Sequence, residues 1–299
     1  MSQPELQTTA TVPANKLSSR AASWRAFYRK LAKNKAALAG AFIVLIFFLL
    51  ALFAPIIAPH DPLHIDISKK LEGPSAEHWL GTDDKGRDIL SRLLYGSRIS
   101  LTVGVLSTVL GAAVGILMGI IAGYYGRWID SLLMRICDVL LAFPGILLAL
   151  AIVSVLGAST TNVIIAVAFF AIPTFARIVR GSTLSVKKLE YIDAIRAMGA
   201  SDSRIIFKHI LPNIVSPIIV QATLYIASAI ITASALSFLG MGTQPPDPEW
   251  GTMLSQGRSY IRQAPHITLF PGLVILIVVI GFNLFGDGLR DALDPKSKK

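Results

Sequence analysis

Six long apolar stretches, separated by segments rich in charge, proline or glycine, organise this chain. They cover residues 36–57, 99–124, 132–156, 162–179, 214–238 and 267–285. Each approaches or exceeds the roughly 20 apolar residues that an α-helix needs to cross a bilayer. The short segments of alternating polarity that mark an outer-membrane barrel are missing from the sequence. The pattern predicts an all-α integral membrane protein with six transmembrane helices. Between the fourth and fifth stretches lies a mixed-polarity segment, EYIDAIRAMGASDSRIIFKHILPN, at residues 190–213. Its first part has helical period, with Ile192, Ile195 and Met198 on one face and Glu190, Asp193 and Arg196 on another. Gly199 stands where a helix C-terminus takes positive φ. Ser201 can cap a second short helix from Asp202 to Ile210, and Pro212 stops it. A helix–turn–helix on the surface of a membrane protein suits contact with a soluble partner.

Composition agrees with the class. Of 299 residues, 53% are hydrophobic and 15% charged, against roughly 25% charged in soluble domains. The net charge of +10 raises the possibility of a nucleic-acid ligand, but its distribution follows membrane topology instead. With the N-terminus inside, the cytoplasmic segments hold 20 of the 28 Lys and Arg residues, so the positive-inside rule favours both termini in the cytoplasm. Arg87, Arg92 and Arg98 fall outside, where they alternate with Asp83, Asp84 and Asp88 in a nearly neutral loop. Residues 1–25 read as a disordered cytoplasmic tail. Residues 26–80 hold the first span and an outer loop, 97–287 form the main membrane domain, and 288–299 are a second cytoplasmic tail. The first span is too long for a signal-peptide core and is retained; Pro55 and Pro59 end it. One cysteine, Cys137, excludes an intrachain disulfide.

Several features bear on chemistry. Gly111, Gly115, Gly119 and Gly123 leave one face of the second span almost bare, for close helix packing or for sliding against a neighbour. Asp138 lies in the third span and is read as pairing with Arg135 one turn earlier, or else as part of a proton relay. Pro144 and Pro173 are expected to kink the third and fourth spans. Residues 81–88, GTDDKGRD, fail as a phosphate loop because Arg-Asp stands where Lys followed by Ser or Thr is needed. Among the five histidines only His60 and His64 are closely spaced, in a proline-containing loop, so no metal site is read from the sequence. Gln221, Tyr225 and Ser228, with Thr232, recur at helical spacing and could line a polar pathway or pair between helices. Asn283, a further candidate for lining that pathway, shares one face with Asp287 at the inner end of the last span. A rigid run, QPPDP, precedes Trp250 in the second long outer loop.

These residues resemble a known family. The 190–213 segment is similar to the coupling loop of ATP-binding-cassette importer permeases. Asp193-Ala194-Ile195 takes the place of Glu-Ala-Ala; Gly199 and Leu211-Pro212 match, and His209 replaces an Ile. HWLGTDDKGRDILSRLLYGSRISL (78–101), LSFLGMGTQPPDPEWGTML (236–254) and FNLFGDGLRDALDPK (282–296) resemble the C-type permease of dipeptide, oligopeptide, nickel and glutathione importers. The resemblance implies a type I importer fold, with residues 97–287 as its transmembrane domain. It implies a second homologous permease, two ATP-binding subunits that carry ATP and Mg, and an extracytoplasmic solute-binding protein. This chain would bind no cofactor and no nucleic acid; its cargo would be peptide and its environment the lipid bilayer of the cytoplasmic membrane. Coupling to the ATPase falls on Glu190, Asp193, Ala194, Gly199, Ala200, Ser201, Leu211 and Pro212. Docking of the binding protein, or an outer gate, falls on Gly81, Asp83, Arg87, Asp88, Pro245, Pro246 and Trp250. Glutathione or nickel as cargo, and an ion-coupled secondary transporter, are the competing expectations. An intramembrane enzyme would need a nucleophile with a base, or paired acids, and the sequence shows neither.

Overall fold

A computed structural model of the chain describes residues 29–293; the stretch read as a disordered tail, 1–25, lies outside them. The described residues are helical, and the long helices follow the apolar stretches. Asn34 caps α1 (Lys35–Ile57) by accepting the Ala37 amide proton at 3.1 Å. Pro55 lies inside the last turn of α1, which runs two residues further to Ile57. Asp88 caps α2 (Ile89–Tyr125). At 37 residues, α2 is about 55 Å long, well beyond a hydrocarbon core of about 30 Å. Its first turns are buried, with Ile89 and Leu93 packed against Ala51, Ile230 and Trp250.

The third stretch bends at Pro144 as expected, and sharply enough to break the helix. It is two helices, α3 (Arg127–Leu141) and α4 (Gly145–Leu156), bent by 87° where Pro144 removes a donor and stops the ladder. The chain still crosses here. Gly126 follows the end of α2, while α5 (Thr160–Lys187) begins at the opposite end of the bundle, where Thr160 Oγ1 meets Thr243 Oγ1 at 2.9 Å. Five unbroken helices and this one broken span make six crossings. Helix α5 passes through Pro173 without interruption.

After α5 come α6 (Glu190–Ala197), α7 (Asp202–Ile205) and α8 (Leu211–Phe238). The expected stop at Pro212 does not occur. A π-helical turn over Ile206–Ile210 joins α7 to α8, closed by the Leu211 amide donating to the Ile206 carbonyl. The wider turn gives the proline ring room beside the preceding carbonyls. One helix of 37 residues thus runs from Asp202 to Phe238. Helix α9 (Trp250–Gly257) lies over one end of the bundle, and α10 (His266–Leu293) returns to the other. The end of α10 includes residues 288–293, which the sequence assigns to a tail; 294–299 lie outside the described residues.

Small residues set the closest helix contacts. The α2–α5 pair is the most extensive. A Cβ on Gly111, Gly115 or Gly119 would sit 2.3–2.7 Å from Ala171 Cβ, the Ile172 carbonyl oxygen or Val179 Cβ. The glycine stripe is thus filled by α5 backbone, the geometry of small-residue packing in membranes. A second interface of this kind joins α1 to α10. There Gly40 meets the backbone of Gly281 and Phe285, and Gly288 meets Ala37.

Candidate functional site

One end of the bundle carries an elbow made of α6, α7 and the π-turn. Gly199, at φ +82°, forms the joint. Its amide donates to the Arg196 carbonyl at 3.0 Å and the Ala200 amide to the Ile195 carbonyl at 3.3 Å, the paired bonds of a Schellman C-cap. Ser201 caps α7 by accepting from the Arg204 amide at 3.4 Å. The inner side is apolar: Ile192, Ile205, Ile206, Ile210 and Ile214 are buried against Ile120, Tyr124 and Val179. The outer side bears exposed Glu190, Asp193, Ala194, Gly199, Ser201 and Pro212, with Ala200 and Leu211 half-buried. Met198 does not share the buried face assigned to it. It is 78% exposed, because three-residue steps drift about 60° each around a helix and carry it away from Ile192. Leu189 and Phe207 in the same segment are also exposed, which periodicity alone did not reveal.

Tyr124, a residue the sequence did not single out, ties the elbow to the bundle. Its hydroxyl donates to Asp202 Oδ1 at 2.6 Å, and the Lys187 ammonium donates to its carbonyl. Lys187 and Arg196 lie 5.5 and 5.9 Å from its ring centroid, within cation–π range. Arg196 also donates to Asp193 at 3.1 Å. Two further ion pairs hold α3 to α5. Arg180 pairs with both oxygens of Asp130, and Arg177 Nη2 donates to Asp138 Oδ1 at 2.6 Å. Asp138 therefore pairs across helices with Arg177, not along its own helix with Arg135.

The opposite end is a polar cap around the start of α2. Gly81, at φ +79°, has the Glu72 carbonyl oxygen 2.5 Å from where a Cβ would be, so only glycine fits. Asp83 Oδ1 accepts the amides of Lys85 and Arg87, and Oδ2 accepts Arg87 Nε at 2.7 Å. Arg92 Nε lies 3.4 Å from the same carboxylate. Arg92 Nη1 donates to the Pro62 carbonyl at 3.0 Å, which fastens the chain after α1 to α2. Asp88 Oδ2 accepts from the Ser91 amide and hydroxyl. Trp250 Nε1 donates to the Leu93 carbonyl at 3.1 Å, and Glu249, unremarked in the sequence, caps α9 while accepting the Ser100 hydroxyl. Asp83, Arg87, Asp88, Glu249 and Trp250 are all at least 96% buried. Of the residues read as docking positions, only Pro245 and Pro246 present exposed side chains; Trp79, 67% exposed, adds to that surface. At the cap's margin the Glu77 carboxylate accepts from the Lys69 ammonium, which lowers the Glu77 pKa and raises that of Lys69. Asp66 is lowered by the Ser68 hydroxyl.

The residues read as pathway lining separate. Gln221 faces a cavity of about 400 Å³ with Ser216, Leu224 and Arg290. Tyr225 turns into the core, edge-on to Phe175, and donates to the Val167 carbonyl at 3.3 Å. Ser228 and Asn283 are exposed. A larger cavity, about 970 Å³, opens at the cap end between Tyr95, Arg98, Thr160 and Asp247.

A bundle of six crossings with a jointed elbow at one end has a solved counterpart. A chain of the MetNI methionine ABC transporter, crystallised in inward-facing conformations, matches 69% of this chain and 98% of its own length at a TM-score of 0.55 and 20% identity. The architecture is that of a type I importer permease. Residues 115–299 match the family of binding-protein-dependent transport system inner membrane components, and residues 23–74 match the N-terminal transmembrane domain of oligopeptide transport permease C. The chain belongs to this family of ABC importer permeases. Among its relatives, the dipeptide transport system permease protein of Alkalihalophilus pseudofirmus is 52% identical over 99% of this chain and 94% of its own. The glutathione transport system permease protein of Pectobacterium atrosepticum is 51% identical over 97% and 96%.

Proposed function

We propose that this chain is the permease subunit of an ATP-driven importer of di- or oligopeptides in the cytoplasmic membrane. Two separate ATP-binding subunits, which hold ATP and Mg, would drive it through the elbow. The observation that carries the reading is the elbow's two-sidedness: an isoleucine-packed inner side, and an outer side on which Leu189, Met198 and Phe207 stay exposed among the described residues. Exposed apolar side chains on a segment this rich in charge suit contact with a protein partner. The charge bias supports a cytoplasmic elbow and cytoplasmic termini. A second homologous permease completes the pathway, and an extracytoplasmic binding protein docks on the cap around Pro245, Pro246 and Trp79. The buried Asp83, Arg87, Asp88 and Trp250 support that surface from beneath.

In this mechanism ATP draws the two ATPases together, and each pulls an elbow. Tyr124 passes the displacement from Asp202 to α2, and the tight α2–α5 pair moves with it as one body. ATP binding thereby favours the outward-facing of two packings of the same helices. The cargo reading rests on the relatives' names; glutathione, itself a small peptide, is the second reading. The test is uptake of labelled dipeptide and of labelled glutathione by proteoliposomes holding the permease pair, the ATPases and the binding protein. Vanadate-sensitive, ATP-dependent uptake is expected for dipeptide. Uptake driven by an ion gradient without ATP overturns the importer reading, and uptake of glutathione alone overturns the dipeptide reading.

A further inference from the structure

In the sequence His60 has only His64 nearby, but the fold gives it different neighbours. His60 follows α1 by three residues, His78 lies midway along the long loop, and Asp88 caps α2. One metal-ligating atom from each of these three residues lies within 4.8 Å of the other two. The two imidazole rings are 4.7 Å apart, tilted by 42°, and His78 Nδ1 is 2.9 Å from Asp88 Oδ1. His78 and Asp88 are 6% and 2% exposed, whereas His60 is half-buried and borders the 970 Å³ cavity. His64 is exposed and outside the cluster.

We propose that His60, His78 and Asp88 form a binding site for a divalent first-row transition metal, with Zn²⁺ the natural occupant by geometry. Two imidazole nitrogens and one carboxylate oxygen are an established donor set for this ion. Tetrahedral bonds of about 2.0–2.2 Å place donor atoms about 3.3 Å apart. The His78–Asp88 spacing of 2.9 Å is a little below that value and the other two spacings are no more than 4.8 Å, so the three donors are close enough to share one ion. Asp88 can ligate through Oδ1 while Oδ2 keeps its bonds to Ser91, so binding does not uncap α2. Three protein ligands leave one coordination position, and the cavity beside His60 gives it access to water. The ion would join the exit of α1, the middle of the loop and the start of α2 at one point. The His60 ring rests against His78 and makes a 3.0 Å contact with the Glu77 carbonyl.

The test uses the full chain in lipid nanodiscs, stripped with chelator and titrated with Zn²⁺ by calorimetry. Co²⁺ is added in parallel to read the visible spectrum of a tetrahedral site. About one Zn²⁺ per chain, with micromolar or tighter affinity, is expected. His60→Ala should weaken binding at least roughly tenfold, and Asp88→Asn, which retains an N-cap, should do likewise. His64→Ala should leave it unchanged. Circular dichroism and size-exclusion profiles identify any variant that has lost its fold, and His60→Ala, at the partly exposed ligand, is the variant least able to do so. Failure of the wild-type chain to bind Zn²⁺, or equal affinity in wild type and His60→Ala, overturns the site. So does a loss in His64→Ala as large as that in His60→Ala.

Discussion

The two ends of this bundle use charge in opposite ways. At the cap, Asp83, Arg87, Arg92, Asp88 and Glu249 are buried, and their bonds reach across α2, α9 and the loops on either side. At the elbow, Asp193 and Arg196 pair in solvent with side chains 69% and 43% exposed, and the holding contacts are isoleucines plus the bonds of Tyr124. A buried ion network resists separation because each broken pair leaves a desolvated charge. An apolar joint with exposed charges can shift without that penalty. Rigidity therefore belongs to the cap and mobility to the elbow.

Arg87→Ala should affect stability most. Asp83 would lose its best-aligned cation in a buried place, at a cost of about 3–5 kcal/mol, read as a lower unfolding temperature and a lower yield of inserted protein. Wild-type stability in this variant would break the comparison. Gly115→Val forces a Cβ to 2.6 Å from the Ile172 carbonyl oxygen and Phe175 Cβ. About 1–3 kcal/mol of overpacking is expected, whereas Gly181→Ala, whose Cβ meets nothing within 4 Å, should be neutral in the same thermal scan. Gly199→Val sharpens the elbow side. No atom lies within 4 Å of the added Cβ, so the cost is the positive φ alone, about 1–2 kcal/mol. Insertion should be normal and ATP-driven uptake largely lost; uptake at the wild-type rate would remove the joint from the mechanism. Asp193→Asn should cost the least, about 0–1 kcal/mol, as for other exposed ion pairs. A loss like that of Arg87→Ala would erase the contrast between the two ends.

Much of this was legible in the chain. The apolar runs gave the crossings, and Gly199 and Ser201 gave the joint and the second helix, since both signals are local. Pro144 was legible as a kink, though not its 87° size, whereas Pro212 was read as a stop and is absorbed beside a π-turn. What a proline does depends on the room its neighbours leave. Met198 shows the limit of periodicity over short helices, where a drift of one step moves a side chain from core to solvent. Asp138 shows another, because its partner Arg177 lies 39 positions away on a separate helix.

The sequence by itself determined the class, the number of crossings, the bias of charge between the two sides and the position of the elbow. These follow from hydropathy over windows and from residues whose backbone preferences act locally. Tertiary structure alone decided that Asp83, Arg87 and Trp250 support a surface without forming it. It also decided that Tyr124 joins the elbow to α2, and that His60 meets His78 and Asp88 and not His64. Each of those facts depends on which distant segments come together, and burial and pairing are properties of that assembly, not of any window along the chain.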